Sequence, residues 1–330
     1  MSEVFSSSKE PMSLWPILSE LWLWLHFLVH LSFWCVVGSV RACVPARYCR
    51  KKSVKGEVVL ITGAGGGLGR LLAVRFAKLG ARLVLWDVDS DGLKVTMGLV
   101  DNVDSVGQSE VGPHHKSYVV DVSDREAVYK AAAATRRDVG DVDVLVNNAG
   151  VVTGRRFLDC PDRLIERTLA VNTNAHFWTC KAFLPSMHAR NHGHVVSVAS
   201  SSALYGVPKL ADYCASKFAA VGFVESLFAE YKAMGLDDVH FTVVCPFFIN
   251  TGAFDGVSTV YPSILPILDP DYAADKILDA VLTNQCQLMM PRFVYVLYFL
   301  KSFLPVEATL YLGHFFGTTR STESFSGKQT

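Results

Sequence analysis

The stretch VVLITGAGGGLGR, residues 58–70, decides the fold. It starts with a continuous run of branched apolar residues, the composition of a strand buried on both faces of a parallel sheet. Five glycines among the next seven residues after Thr62 make a tight turn. The last residues open the segment GLGRLLAVRFAKLG, whose apolar positions have helical spacing. The stretch therefore predicts a strand, a glycine turn and a helix.

The same alternation continues along the chain. Further apolar runs typical of buried strands lie at residues 82–87, 116–122, 142–148, 194–200 and 240–246. Segments with helical spacing, such as REAVYKAAAATRRDV, separate them. Strands that alternate with helices indicate an α/β fold, a single Rossmann-type doubly wound parallel sheet over residues 56–291.

The glycine turn has the pattern T-G-x-x-x-G-x-G, with Gly63, Gly67 and Gly69. It fits neither G-x-G-x-x-G nor the Walker pattern, but its glycines equally allow a pyrophosphate to approach the following helix N-terminus. Asp87 closes the second strand about 20 residues later, where a carboxylate binds ribose hydroxyls and repels a 2′-phosphate. The glycine turn and Asp87 together favour NAD over NADP as the cofactor. An ordinary tight turn and a polar strand end are the alternatives.

The N-terminal part has a different character. Residues 21–40, LWLWLHFLVHLSFWCVVGSV, carry no formal charge apart from two histidines, and their length matches a helix that crosses a bilayer. Six Arg and Lys residues without an acid follow in residues 41–55, so the positive-inside rule places the rest of the chain in the cytosol. We predict a tail at 1–20, a transmembrane anchor and a basic linker. A cleaved signal peptide and an interfacial hairpin are the alternatives.

Composition narrows the functional classes. The 330 residues have zero formal net charge, which argues against nucleic acid as a partner. The eight cysteines contain no C-x-x-C pair, and none of His114, His115, His192 and His194 has an i, i+4 partner suited to a metal, so we expect no metal. Free thiols in apolar segments behave as small hydrophobes, which favours a reducing compartment.

A tyrosine and a lysine stand four residues apart in YCASK, residues 213–217, early in a predicted helix. Residues at this spacing share a helix face, and a lysine charge there would lower the tyrosine pKa. The segment ends an ordered series: TGAGGGLG at 62–69, Asp121-Val122, NNAG at 147–150, Asn172, Ser200 and YCASK. With this series the chain resembles the short-chain dehydrogenase/reductase family.

The resemblance implies a catalytic group. Tyr213 would be the acid/base, and Lys217 would lower its pKa and hold the nicotinamide ribose. Ser200, thirteen residues before the tyrosine, would bind the substrate oxygen. Asn172 would hold a water that passes the proton onward. A surface pair at helical spacing is the alternative for the tyrosine and lysine.

The resemblance also implies contacts to the cofactor and the substrate. The implied cofactor contacts are Gly63, Gly67, Leu68, Gly69, Asp87, Asp121, Val122, Asn147, Gly150, Tyr213, Lys217 and Thr251. The family often has Pro-Gly after the sixth strand, whereas Phe247 follows the proline here. We expect this phenylalanine to shape the substrate side together with Ser200.

A closer resemblance is to the membrane-bound retinol dehydrogenases of that family, carried by LVNNAGVV, LIERTLAVN, HFWTCKAFLP, DYCASKFAAVGF and KSFLP. It implies NAD-dependent oxidation of all-trans-retinol at the cytosolic face of the endoplasmic reticulum, or on lipid droplets. The alternatives are a 17β-hydroxysteroid dehydrogenase, an NADPH-dependent retinal reductase and a non-catalytic membrane scaffold. A homo- or hetero-oligomer is compatible with each.

Two apolar segments fit a lipid-like alcohol. Residues 252–272 follow the sixth strand, in the region that covers the substrate in this fold, and carry few charges. Residues 292–316 are strongly hydrophobic, but charges and a proline interrupt them. We therefore predict an interfacial element or a packed dimer-interface helix here, and not a second crossing.

Overall fold

The computed structural model describes residues 15–43, 48–106, 115–325 and 327. The chain divides into two compact units, residues 1–50 and 51–330. Helix α1, Trp15–Cys43, makes up most of the described part of the first unit. Within it Leu18–Gly38 has a mean hydropathy of 1.6 and is long and apolar enough to cross a membrane. The predicted apolar helix is thus present, and it extends beyond residues 21–40 at both ends.

The second unit contains a parallel sheet that has seven strands in the described residues. Their order is β3-β2-β1-β4-β5-β6-β7. The strands are β1 Val58–Thr62, β2 Arg82–Asp87, β3 Lys116–Val119, β4 Val144–Asn147, β5 Gly193–Val198, β6 Val239–Pro246 and β7 Gln287–Met290. The six predicted strands are all found, and β7 is an addition. Because the strand order reverses between β1 and β4, a crevice opens at their carboxyl ends, where ligands bind in such sheets.

Helices cover both faces of the sheet. They are α2 Gly67–Lys78, α3 Ser90–Val106, α4 Arg125–Asp138, α5 Asp162–Leu169, α6 Ala175–Arg190, α7 Ala211–Ala233 and α8 Pro270–Leu282. The central strands are buried along their whole length, since helices pack on each side. The core is therefore a three-layer α/β/α arrangement, as predicted.

The second unit begins inside the predicted basic linker. Lys51 forms an ion pair with Asp279 at 2.7 Å, and the backbone N–H of Lys52 donates to the Leu282 carbonyl at 2.8 Å. Val54 is buried in the core. Residues 51–55 therefore belong to the sheet domain and are not a free tether.

The hydrophobic C-terminal part forms two short helices, α9 Phe293–Phe303 and α10 Val306–Phe315. Pro305 separates them, and an eleven-residue helix such as α9 extends about 16 Å, half of a bilayer core of about 30 Å. Val294 and Leu297 are buried in the domain, whereas Phe299 and Phe303 are exposed. The segment is thus partly a packed element, as one of the predicted alternatives required.

Candidate active site

A cavity of about 440 Å³ lies at the carboxyl ends of the strands, in the predicted crevice. The predicted site residues that line it are Gly63, Gly67, Leu68, Asp87, Asp121, Val122, Gly150, Ser200, Tyr213, Lys217, Phe247 and Thr251. These residues come from the carboxyl ends of six strands, β1 to β6, and from helices α2 and α7. The lining does not include Gly69, Asn147 or Asn172.

The glycine turn is built by close backbone approach. Gly63 has φ +67°, and a Cβ added to it would lie 2.9 Å from the Ala149 Cα. A Cβ on Gly69 would lie 2.1 Å from the Gly63 carbonyl oxygen. Gly69 therefore lets helix α2 pack against the turn, and it does not line the cavity itself.

The turn leaves room for a diphosphate. Gly66 lines the cavity, and a Cβ added to it would meet nothing within 4 Å. Helix α2 begins at Gly67, so its N-terminal N–H groups and dipole favour an anion at this position. Gly67 itself faces Thr251, because a Cβ on it would lie 3.4 Å from the threonine Cβ. The residues present thus fit the pyrophosphate of a dinucleotide.

Asp87 lies at the far end of the cavity, at the end of β2. Its Oδ2 accepts a hydrogen bond from the Gly65 N–H at 2.7 Å, and its Oδ1 accepts one from the Asp89 N–H at 3.0 Å. The nearby cation Arg70 is occupied elsewhere, since it donates to the Thr96 hydroxyl at 3.0 Å and to the Gly65 carbonyl. The carboxylate therefore stays available to ribose hydroxyls.

The two asparagines of NNAG have different places. Asn147, the last residue of β4, is buried, and its Oδ1 accepts from the Thr179 hydroxyl at 2.8 Å. Asn148 lines the cavity, and its Nδ2 donates to the Thr62 carbonyl at 3.0 Å. Asn147 therefore does not line the cavity, and its predicted cofactor contact stays a prediction. Successive residues of a strand point to opposite faces, so the neighbour takes that position.

Asp121 carries a partner that the sequence did not suggest. Its Oδ2 accepts from Arg167 Nη1 at 2.9 Å, and Arg167 also lines the cavity. Burial raises the pKa of Asp121, but hydrogen bonds from Ser123 and Arg167 outweigh it and hold the pKa below its ordinary value. The sequence gives no signal that Arg167 pairs with Asp121, because the two residues lie 46 positions apart in the chain.

The predicted catalytic pair meets at the inner end of the cavity. Tyr213 and Lys217 lie one turn apart on α7, are buried, and both line the cavity. Lys217 Nζ donates to the Val198 carbonyl at 2.9 Å and lies 5.6 Å from the centroid of the Tyr213 ring. The ammonium is therefore fixed beside the phenol.

The electrostatics of this pair differ from the expectation. Burial raises the pKa of Tyr213, and a hydrogen bond with Ser200 opposes that rise. Burial also lowers the pKa of Lys217 to about 8. In the polypeptide alone the loss of water therefore dominates the pKa of Tyr213, and the expected lowering by Lys217 stays a prediction for the cofactor-bound site.

Of the three consecutive serines, Ser200 lines the cavity, while Ser201 and Ser202 are buried outside its lining. The Ser200 Oγ accepts from the Ser202 N–H at 3.1 Å, which fixes the hydroxyl at the start of a 3₁₀ turn. The assignment of Ser200 by spacing therefore agrees with its position.

Asn172 lies in a π-helical turn, Ala170–Asn174, between α5 and α6. Its Oδ1 accepts from the Val151 N–H, and its Nδ2 donates to the Val151 carbonyl, both at 2.9 Å. Gly150 keeps a gap beside it, since a Cβ there would lie 3.4 Å from Asn172 Oδ1 and 3.5 Å from Lys217 Nζ. The asparagine and the lysine thus flank one small space.

Aromatic rings form the wall opposite the cofactor end. Phe247 and Phe248 have ring centroids 4.7 Å apart, and Phe248 lies 5.2 Å from Phe254. Phe254 meets the Tyr213 ring edge-on at 5.8 Å. All three phenylalanines line the cavity. The Tyr213 phenol therefore faces an apolar surface, which suits an apolar ligand.

Comparison with known proteins agrees with this geometry. A family model described as short chain dehydrogenase matches residues 57–260. Mouse epidermal retinol dehydrogenase 2 is 52% identical over 84% of this chain and 88% of its own, and human retinol dehydrogenase 10 is 46% identical over 84% and 86%. The similarity to retinol dehydrogenases expected from the sequence is thereby confirmed.

Solved structures show the same architecture. A short chain dehydrogenase/reductase from Burkholderia phymatum in complex with NAD has a TM-score of 0.65 and 26% identity, over 76% of this chain and 94% of that one. A metagenomic short-chain oxidoreductase in complex with NADP has a TM-score of 0.58 and 28% identity, over 72% and 96%. The chain therefore belongs to the short-chain dehydrogenase/reductase family.

Proposed function

We propose that this oxidoreductase oxidises all-trans-retinol to all-trans-retinal with NAD, bound to a membrane through its N-terminal helix. The convergence of Tyr213, Lys217 and Ser200 on one apolar end of a dinucleotide-sized cavity carries the proposal. The identity of 46–52% to retinol dehydrogenases supports the retinoid substrate.

The residues divide the chemistry between them. When bound, NAD accepts the hydride and adds positive charge beside the phenol, which opposes the effect of burial on the pKa of Tyr213. Ser200 would hold the alcohol oxygen, and Tyr213 would accept the hydroxyl proton. For this Tyr213 would react as the phenolate, and Lys217, as the neutral amine, would then take the proton from the Tyr213 hydroxyl and pass it on to water; its pKa of about 8 is close to working pH. The small space beside Gly150 has room for a water between Lys217 and Asn172.

The cofactor preference rests on Asp87. Its carboxylate lines the cavity next to the glycine turn, Arg70 is bound to backbone and Thr96, and Arg167, which lines the cavity, is paired with Asp121. A 2′-phosphate placed against this carboxylate would be repelled, whereas two ribose hydroxyls would donate to it. We therefore assign NAD as the cofactor.

For the membrane, the support is the apolar helix Leu18–Gly38 and the basic residues that follow it. The positive-inside rule then puts the catalytic domain on the cytosolic side, which we assign to the endoplasmic reticulum. A lipid-soluble alcohol would be concentrated in the same membrane.

A substrate panel on membranes that carry the protein tests the proposal. We expect retinol to be oxidised with NAD faster than with NADP, and faster than estradiol. Faster turnover of estradiol would support a 17β-hydroxysteroid dehydrogenase, and faster retinal reduction with NADPH a reductase. Absence of NAD-supported retinol oxidation would refute the proposal.

The variant Tyr213→Phe separates an enzyme from a scaffold. Removal of the proton acceptor should lower kcat by about 10²–10⁴-fold while NADH binding persists. Tyr118→Phe is the matched control, since that hydroxyl donates to Asp138 at the surface, 2.9 Å away. A Tyr213→Phe protein with wild-type turnover would exclude the assigned chemistry.

A further inference from the structure

The C-terminal residues 318–325 return to the substrate side of the domain. The Ser258 N–H donates to the Ser321 carbonyl at 3.0 Å, which joins this segment to the loop after β6. The Thr322 hydroxyl donates to the Pro208 carbonyl at 2.9 Å, and Lys209 Nζ donates to the Glu323 carbonyl at 2.6 Å. The segment is thus tied to the loop that precedes α7, on which the catalytic tyrosine lies.

A third loop meets the same segment. Gly154, after β4, has φ +66°, and a Cβ on it would lie 2.5 Å from the Gly327 N. A Cβ on Gly327 would lie 2.3 Å from the Thr153 carbonyl oxygen. The two backbones are in close contact because neither residue has a side chain. The chain end therefore closes against all three loops that surround the apolar end of the cavity.

The aromatic side chain of the segment points inward. Phe325 is 2% exposed, and its ring is stacked on that of Phe254, with centroids 5.6 Å apart and planes inclined by 29°. It packs in a cluster with Tyr213, Leu210 and Val207. Since Phe254 lines the cavity and touches the Tyr213 ring, Phe325 backs the wall beside the phenol.

We propose that residues 318–325 form the outer wall of the substrate site, and that Phe325 is a positioning residue that selects extended, flat, apolar alcohols. It does so by fixing the plane of Phe254. A buried stack of two rings presents a rigid apolar face, and such a face fits a conjugated chain along its length. A short alcohol reaches Tyr213 without this face. The inference rests on the proposed function and deepens it.

The test compares two allylic alcohols, retinol and 3-methyl-2-buten-1-ol, with full-length protein in microsomes and NAD. Phe325→Ala should raise the KM for retinol about tenfold, change kcat less than twofold, and leave kcat/KM for the short alcohol unchanged. Phe325→Leu, which keeps an apolar side chain without a flat ring, should raise the retinol KM about threefold. Ser324→Ala is the matched control, because that adjacent side chain is exposed.

An unchanged retinol KM in Phe325→Ala would overturn the inference. So would equal losses on both alcohols, because a general folding role would affect both. NADH binding monitors the fold, and if Phe325→Ala fails to bind NADH, the KM of Phe325→Leu decides. Failure of the proposed function would give a different result, since wild-type membranes would then leave retinol unoxidised. In that case the ratio of the KM of Phe325→Ala to the KM of the wild type, measured with another long apolar alcohol such as estradiol, would decide the inference.

Discussion

Gly69→Ala tests how tightly the nucleotide turn is built. A Cβ there would lie 2.1 Å from the Gly63 carbonyl oxygen and 2.8 Å from Asn148 Nδ2. Neither atom can move away easily. Gly63 is held in a left-handed conformation, and its carbonyl accepts from Asn148 Nδ2 at 3.2 Å. Helix α2 must therefore shift away from the turn.

The size of the effect follows from that overlap. Non-bonded heavy atoms prefer separations of about 3.5 Å, so a shift of about 1 Å is required. Such overpacking costs about 1–3 kcal/mol, and a weakened hydrogen bond adds about 1 kcal/mol. The helix preference of alanine returns up to about 1 kcal/mol. We expect a net loss of about 2 kcal/mol, or a Tm lower by about 4–8 °C.

The assay is thermal unfolding of detergent-solubilised protein together with NADH titration. NADH affinity should fall about tenfold, which corresponds to about 1.4 kcal/mol, since the helix N-terminus moves away from the phosphates. The matched control is Gly98→Ala on α3, where a Cβ would meet nothing within 4 Å. That variant should keep or raise the Tm. A Gly69→Ala protein with wild-type Tm and NADH affinity would refute this account of the turn.

Three further predictions address the cofactor, the buried lysine and the membrane. Asp87→Ala should lower the ratio of kcat/KM with NAD to kcat/KM with NADP about tenfold, because one charge-assisted contact is lost. The control Asp91→Ala should leave this ratio unchanged. An equal or higher ratio in Asp87→Ala would contradict the role of Asp87. Burial lowers the pKa of Lys217 from 10.5 to about 8, so the unfolded chain binds more protons between these values and stability rises with pH there. Lys217→Met should remove this rise in the free energy of unfolding, which is at most about 3 kcal/mol. Urea-unfolding midpoints of the wild type and the variant that change equally from pH 8 to 10 would contradict the prediction. Protease added to intact microsomes should digest the catalytic domain, and full protection would place it in the lumen.

Local patterns in the sequence predicted most of the sheet. Runs such as residues 58–62 and 82–87 are continuous and apolar, so their strands were found with matching bounds. The last strand, Gln287–Met290, was missed, because a four-residue segment that begins with a polar residue is too short to show a strand's hydrophobic periodicity. Its place is set by pairing with β6, which only the assembled sheet shows.

The site shows the same division. Motif spacing picked out Tyr213, Lys217 and Ser200, and the fold brings all three to one cavity. It did not separate Asn147 from Asn148, of which Asn148 lines the cavity while Asn147 ends β4 and is buried. Phe325 gave no signal at all, because its contacts join residues far apart in the chain.

The amide of Asn172 has a consequence for reading sequence variants of this enzyme. Its hydrogen bonds join the loop after β4, at Val151, to helix α7, where Nδ2 also donates to the Ser216 hydroxyl at 3.0 Å. A replacement at this position removes these hydrogen bonds together with the side chain proposed to hold the water. A loss of turnover in an Asn172 variant can therefore be assigned to the chemistry only after the fraction of folded protein has been measured.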